Sequence, residues 1–143
     1  MKPKVLFLCT GNSARSQMAE GFLRHFAGED FEALSAGTKP GTLNPLAVQA
    51  MAELGIDISR QFSKNVTQFR GTPIQHVVTV CDNARESCPL FPGAARILHW
   101  SFPDPAAALG TKEDKLAVFR EIRDQIATHI KQEFCKIGTG QKA

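Results

Sequence analysis

Apolar and polar positions along this chain separate short buried strands from amphipathic helices. Val5-Leu6-Phe7-Leu8 is an unbroken apolar run, the pattern of a strand covered on both faces, and it stops at Cys9. Met18, Phe22, Leu23 and Phe26 then recur at helical spacing, so a helix follows over 17–26. Residues 31–38 read as a second strand ending in a turn at Gly37, and Asn44 and Pro45 read as the cap and first residue of a helix over 46–54 that Gly55 closes. The stretch 56–63 reads as loop. Residues 72–81 read as a third buried strand, again ending at a cysteine, and 96–100 as a fourth. From Lys112 to Cys135 one long helix is expected, with Leu116, Phe119, Ile122, Ile126, Ile130 and Phe134 facing inward. Thr111 is its expected cap, with Asp114 as a weak capping-box partner and a tail beyond Gly138.

Strand, helix, strand in succession implies right-handed crossovers and a parallel sheet, here four strands flanked by helices. The 143 residues are enough for a single domain, 1–143, with a substantial core, and 43% apolar against 22% charged residues is ordinary globular composition. A formal net charge of +3 comes from 17 Lys and Arg without a run, so no nucleic-acid partner is expected. No stretch is long and apolar enough to span a bilayer and no signal-peptide pattern opens the chain, so no membrane partner and a cytoplasmic monomer are expected.

The candidate chemistry sits where the first strand becomes the first helix. Backbone N–H groups of a turn and of a helix's first turn point into the concavity between them, which suits a tetrahedral oxyanion. Arg15, with five residues between it and Cys9, adds a planar fork of donors that keeps its charge. The same positive field favours a thiolate at Cys9, the form that acts as nucleophile. Thr10, Gly11, Asn12, Ser13, Ala14, Arg15 and Ser16 are therefore the expected oxyanion-binding residues, with Gly11 allowing the tight turn and Ser13 or Ser16 available to the sulfur. A buried, inert cysteine at a strand end is the plain alternative.

In a reducing compartment, cysteines serve redox, metal or catalytic roles more often than structural disulfides. Cys81 ends the third strand as Cys9 ends the first, so in a parallel sheet both emerge at one edge. Cys88 follows after six intervening residues, a largely polar stretch. Three cysteines near an oxyanion loop suggest a relay in which each thiolate attacks the sulfur ahead of it; otherwise Cys81 is core and Cys88 an incidental loop thiol. No metal site is expected, since no Cys-x2-Cys pair or histidine spacing supports zinc, and Cys135 reads as helix packing. Asp104 lies between two prolines on a stiff loop after the fourth strand, which holds a carboxyl toward the active edge or simply makes an Asp-Pro turn.

The run Cys9-Thr-Gly-Asn-Ser-Ala-Arg15-Ser16 resembles the phosphate-binding loop of the low-molecular-weight protein tyrosine phosphatases, and looks closest to the arsenate reductases built on that fold. The resemblance implies a three-layer α/β/α architecture and reduction of arsenate to arsenite, with phosphate and sulfate as competing anions. By the same resemblance Cys9 is the nucleophile, Asp104 the general acid, and Cys81 and Cys88 the redox pair recycled by thioredoxin or by glutaredoxin with glutathione. No cofactor is implied.

Two departures stand out. Ala14 replaces a further loop cysteine of some relatives. Others hold a monovalent cation behind the loop with an asparagine, a glutamate, a serine and an aspartate; Asn12, Glu20 and Ser35 fit, but Lys64 and Asn65 stand where the aspartate would be, so the Lys64 ammonium is expected to take the ion's place. The runner-up reading is a protein tyrosine phosphatase working through a phospho-cysteine, and the third a non-catalytic anion-binding module. The absence of tyrosine removes phosphorylation sites found near the acid in phosphatase relatives.

Overall fold

A computed structural model describes residues 2–80, 94 and 96–135. The elements run β1 (Lys4–Cys9), α1 (Arg15–Ala27), β2 (Glu32–Gly37), α2 (Pro45–Ala52), a 3-10 turn (Val66–Phe69), β3 (His76–Thr79), β4 (Arg96–His99), a second 3-10 turn (Pro105–Ala107) and α3 (Lys112–Phe134). All pairings are parallel, in the order β2-β1-β3-β4, so β1 is a central strand. Val5, Leu6, Phe7 and Leu8 are fully buried although they point alternately to opposite faces, so both faces of the sheet are covered there. On one face Phe7 meets Trp100 and Phe134 of α3.

Local chemistry accounts for the ends of the elements. The Asn44 side chain accepts from Leu46 N at 2.8 Å with Pro45 in the first turn of α2, and Gly55 at φ +78° turns the chain away. The capping box of α3 is complete: Thr111 Oγ1 accepts from Asp114 N and Asp114 Oδ2 from Thr111 N. All six inward apolar residues expected on α3 are buried.

The third strand is shorter than its apolar run. Gly71, at φ +84°, turns the chain back, and Pro73 has no N–H to give a ladder, so pairing begins at His76. The expected loop after α2 is instead well anchored: Ile56 and Ile58 are buried, and Asn65 caps a 3-10 turn the apolar pattern does not announce. Arg123 is likewise buried within α3, donating to the carbonyl of Ala50 and to Glu53 and so tying α3 to α2. Among the described residues no helix is long and apolar enough to cross a membrane.

Candidate active site

Cys9 is the last residue of β1 and Arg15 the first of α1, so residues 10–14 carry the chain from sheet to helix. The carbonyls of this loop are all turned outward. Those of Cys9, Thr10, Gly11 and Ser13 accept from the backbone N–H groups of Thr38, Lys39, Gly41 and Asn44 at 2.9–3.2 Å. Ala14 accepts from Met18 N, and Asn12 from the side chains of Gln17 and Ser63. Because carbonyl and N–H lie on opposite sides of a trans peptide, outward carbonyls turn the following N–H groups inward. At Ala14 the start of α1 carries no side-chain cap, so the helix's first donors are left for an anion.

The sharp bend falls at Asn12, at φ +49°, rather than at Gly11, which keeps a negative φ. Asparagine tolerates this region because its short polar side chain bonds locally. Here Asn12 Nδ2 donates to Ser16 Oγ at 2.8 Å and its Oδ1 accepts from Lys64 N at 2.8 Å. Gly37 is required for a different reason: a Cβ there would stand 2.5 Å from the Thr10 carbonyl, so only glycine lets β2 end against the loop.

The Cys9 sulfur is buried and held from two directions. Asn12 N donates to Sγ at 3.2 Å, and Ser16 Oγ lies 2.9 Å from it. Since Ser16 Oγ already accepts from Asn12 Nδ2, its proton is free to point at the sulfur. Of the two serines expected near Cys9, it is Ser16 that stands at the sulfur.

Arg15 and Asp104 also converge here. Arg15 is 13% exposed; one guanidinium nitrogen donates to the Phe102 carbonyl at 3.0 Å and another lies 3.8 Å from Asp104 Oδ2. Asp104 Oδ1 accepts from Ala106 N at 3.0 Å to cap the short 3-10 turn, while Oδ2 faces the arginine. Phe102 is buried against Trp100 and His129, which fixes the loop that carries Asp104. Trp100 thus serves as a wall of this region.

Behind the loop, Glu20 Oε1 accepts from Ser35 Oγ at 2.5 Å and lies 3.7 Å from Lys64 Nζ, while Arg24 bonds Oε2. The Lys64 side chain does reach the Glu20 carboxylate, as expected. Burial lowers its pKa, the Glu20 carboxylate opposes that by raising it, and the Arg24 charge lowers it further.

Cys81 and Cys88 lie outside the described residues. The described part of β3 runs beside β1 to its C-terminal end: Thr79 is in register with Leu8, and Val80 N donates to the Leu8 carbonyl at 2.8 Å. The sequence reading gives no sign of the outward anchoring of the loop by Thr38, Lys39, Gly41 and Asn44, or of the bonds from Gln17 and Ser63 to the Asn12 carbonyl.

A parallel sheet whose central strand delivers a cysteine into an arginine-bearing, amide-lined loop defines the α/β enzymes that work on tetrahedral oxyanions. Residues 4–142 match the model of the family described as low molecular weight phosphotyrosine protein phosphatase, and the chain belongs to that family. It is 48% identical over 131 residues to an arsenate reductase of Shouchella clausii, covering 92% of this chain and 94% of that one. With an arsenate reductase of Bacillus subtilis it shares 45% over 139 residues, covering 96% and 99%. Among solved structures, an arsenate reductase in the phosphate binding state superposes with a TM-score of 0.78 at 32% identity, over 96% of this chain and 99% of that one. A thioredoxin-dependent arsenate reductase of Corynebacterium glutamicum gives 0.74 at 30% identity, over 97% of this chain and 63% of its own.

Proposed function

We propose that this protein reduces arsenate to arsenite, with Cys9 as nucleophile. The observation that carries the oxyanion half is the loop whose carbonyls are all bonded outward, leaving its donors inward, with Cys9 at its start and the Arg15 fork at its end. Relatives of near-complete coverage named arsenate reductase support arsenic as the substrate centre.

In this reading the Cys9 thiolate attacks arsenic while the loop amides of residues 10–16 and Arg15 hold the oxygens, and Asp104 gives a proton to the departing hydroxyl, which leaves as water. The product is a Cys9 arseno-cysteine, still arsenic(V). Cys81 then attacks the Cys9 sulfur; the sulfur–sulfur bond forms, the sulfur–arsenic bond breaks, and its electron pair stays on arsenic, which departs as arsenite. Cys88 attacks the Cys81 sulfur, frees Cys9 and moves the disulfide to Cys81–Cys88. An external dithiol then reduces that disulfide. The thioredoxin-dependent neighbour supports thioredoxin, with glutaredoxin and glutathione the competing donor.

The family description favours one second reading, a phosphatase acting through a phospho-cysteine. One experiment separates the two: arsenite release with thioredoxin or glutaredoxin recycling, beside aryl phosphate hydrolysis, for the parent and for Cys9→Ser, Cys81→Ser and Cys88→Ser. The reductase reading requires that each single variant lose recycled arsenite release. Aryl phosphate turnover that survives the double Cys81→Ser/Cys88→Ser change, with no arsenite from the parent, selects the phosphatase.

A further inference from the structure

Gln17 is fully buried in the first turn of α1, and its amide has no part in the chemistry set out above. Polar burial of that depth is costly unless every atom finds a partner, and here each does. Its Nε2 donates to the carbonyl oxygens of Asn12 and Phe62, both at 2.9 Å. Its Oε1 accepts at 2.8 Å from Nε2 of Gln61, which also donates to the Gln17 carbonyl at 3.0 Å. This fixes which way the Gln17 amide faces, because a flipped amide would set Oε1 against two carbonyl oxygens. Arg24 donates in turn to Gln61 Oε1 at 3.0 Å, so a line of donors runs Arg24, Gln61, Gln17, Asn12.

The line ends on the carbonyl of the strained residue in the catalytic loop. Asn12 is the single non-glycine residue at positive φ among those described, a conformation that persists only when its surroundings hold it. Ser63 Oγ reaches the same carbonyl at 2.7 Å, so both of its lone pairs are used. In a trans peptide the direction of the Asn12 carbonyl also sets the direction of the Ser13 N–H.

We propose that Gln17, held in place by Gln61, is a positioning residue that aims the Ser13 N–H at the bound oxyanion and so sets the loop's affinity for it. This rests on the reading of the loop as the oxyanion site. A purely structural role for Gln17 would alter stability and leave anion affinity in the folded protein unchanged.

The test uses the whole chain with inorganic phosphate as probe. Iodoacetamide alkylation of Cys9 is followed by peptide mass spectrometry across a phosphate series, for the parent, Gln17→Leu, Gln61→Ala and the core control Ile58→Val. The phosphate concentration giving half-protection is expected to rise about tenfold in Gln17→Leu and roughly threefold in Gln61→Ala, the losses expected from misplacing one charge-assisted donor. It is expected to stay at the parent value in Ile58→Val. Should Gln17→Leu fail to fold, Gln61→Ala decides the matter. A protected parent with unchanged half-protection in the folded variants overturns this inference alone; an unprotected parent overturns the oxyanion-loop reading and this inference with it.

Discussion

The hydroxyl oxygen of Ser16 stands 2.9 Å from the sulfur of Cys9, in the first turn of the helix that follows the cysteine's own loop. Asn12 Nδ2 occupies that oxygen as a donor, which leaves the hydroxyl proton for the sulfur. Ser16→Ala removes a hydrogen bond to the Cys9 sulfur, the proposed nucleophile, at little cost in volume. Alkylation of Cys9 by iodoacetamide at neutral pH and arsenite release in the first turnover are both expected to fall roughly tenfold or more, the scale of one hydrogen bond to a charged group. Unchanged rates in a folded variant contradict the role given to Ser16.

Arg15→Lys keeps the charge and loses the fork. A guanidinium that donates to the Phe102 carbonyl and faces Asp104 is held in one plane, and a lysine ammonium reproduces neither contact together. The expected result is a fall of about a hundredfold in kcat/KM for arsenate, near the cost of removing one oxyanion donor. Thermal stability should change little by comparison.

Lys64 faces the Glu20 oxygen that accepts from Ser35, while Arg24 pairs with the other Glu20 oxygen. Lys64→Asp places two carboxylates together, and is expected to lower stability by about 2–4 kcal/mol in choline chloride, in the range for breaking a buried pair. Potassium chloride at the same ionic strength should recover part of that loss in the variant and add nothing to the parent. A parent stabilised by potassium as much as Lys64→Asp contradicts the idea that the ammonium takes a cation's place.

His76 predicts a pH dependence whose sign is fixed. Its Nδ1 is buried without a hydrogen-bond partner among the described residues, and the ring packs against Phe31 and Phe134. Burial, and then the nearby Arg96 charge, lower its pKa. The neutral ring is therefore favoured in the fold, whereas the unfolded chain takes up a proton below about pH 6.5. The contribution is complete above that pH and is lost progressively below it. Urea midpoints measured from pH 8 to pH 5 should fall more steeply for the parent than for His76→Phe. Equal slopes would remove His76 from the account.

Much of this was legible in the residues themselves. The apolar run before Cys9, the spacing of Phe119, Ile122, Ile126 and Ile130, and the Asn44-Pro45 start each act through contacts a few residues away. The loop motif located Cys9 and Arg15, and the strand ends placed Asp104 nearby. Contacts between distant segments were not legible. Nothing in Thr38, Lys39, Gly41 or Asn44 announces that their N–H groups bond the carbonyls of the loop after Cys9, because a backbone donor carries no sequence signature. Gln17 reads as a helix residue until the Asn12 and Phe62 carbonyls are beside it. Gly11 is the residue that composition favours for the tight turn, but the turn falls at Asn12, whose side chain also bonds Ser16 and Lys64.

The most direct test of the central claim is arsenite released in one turnover by the fully reduced protein without any external reductant, with the thiols counted afterwards. The account requires up to one arsenite per chain and the loss of two thiols in the parent, with no arsenite from Cys9→Ser. Arsenite from Cys9→Ser at the parent's level, or none from a folded parent that still hydrolyses an aryl phosphate, contradicts it.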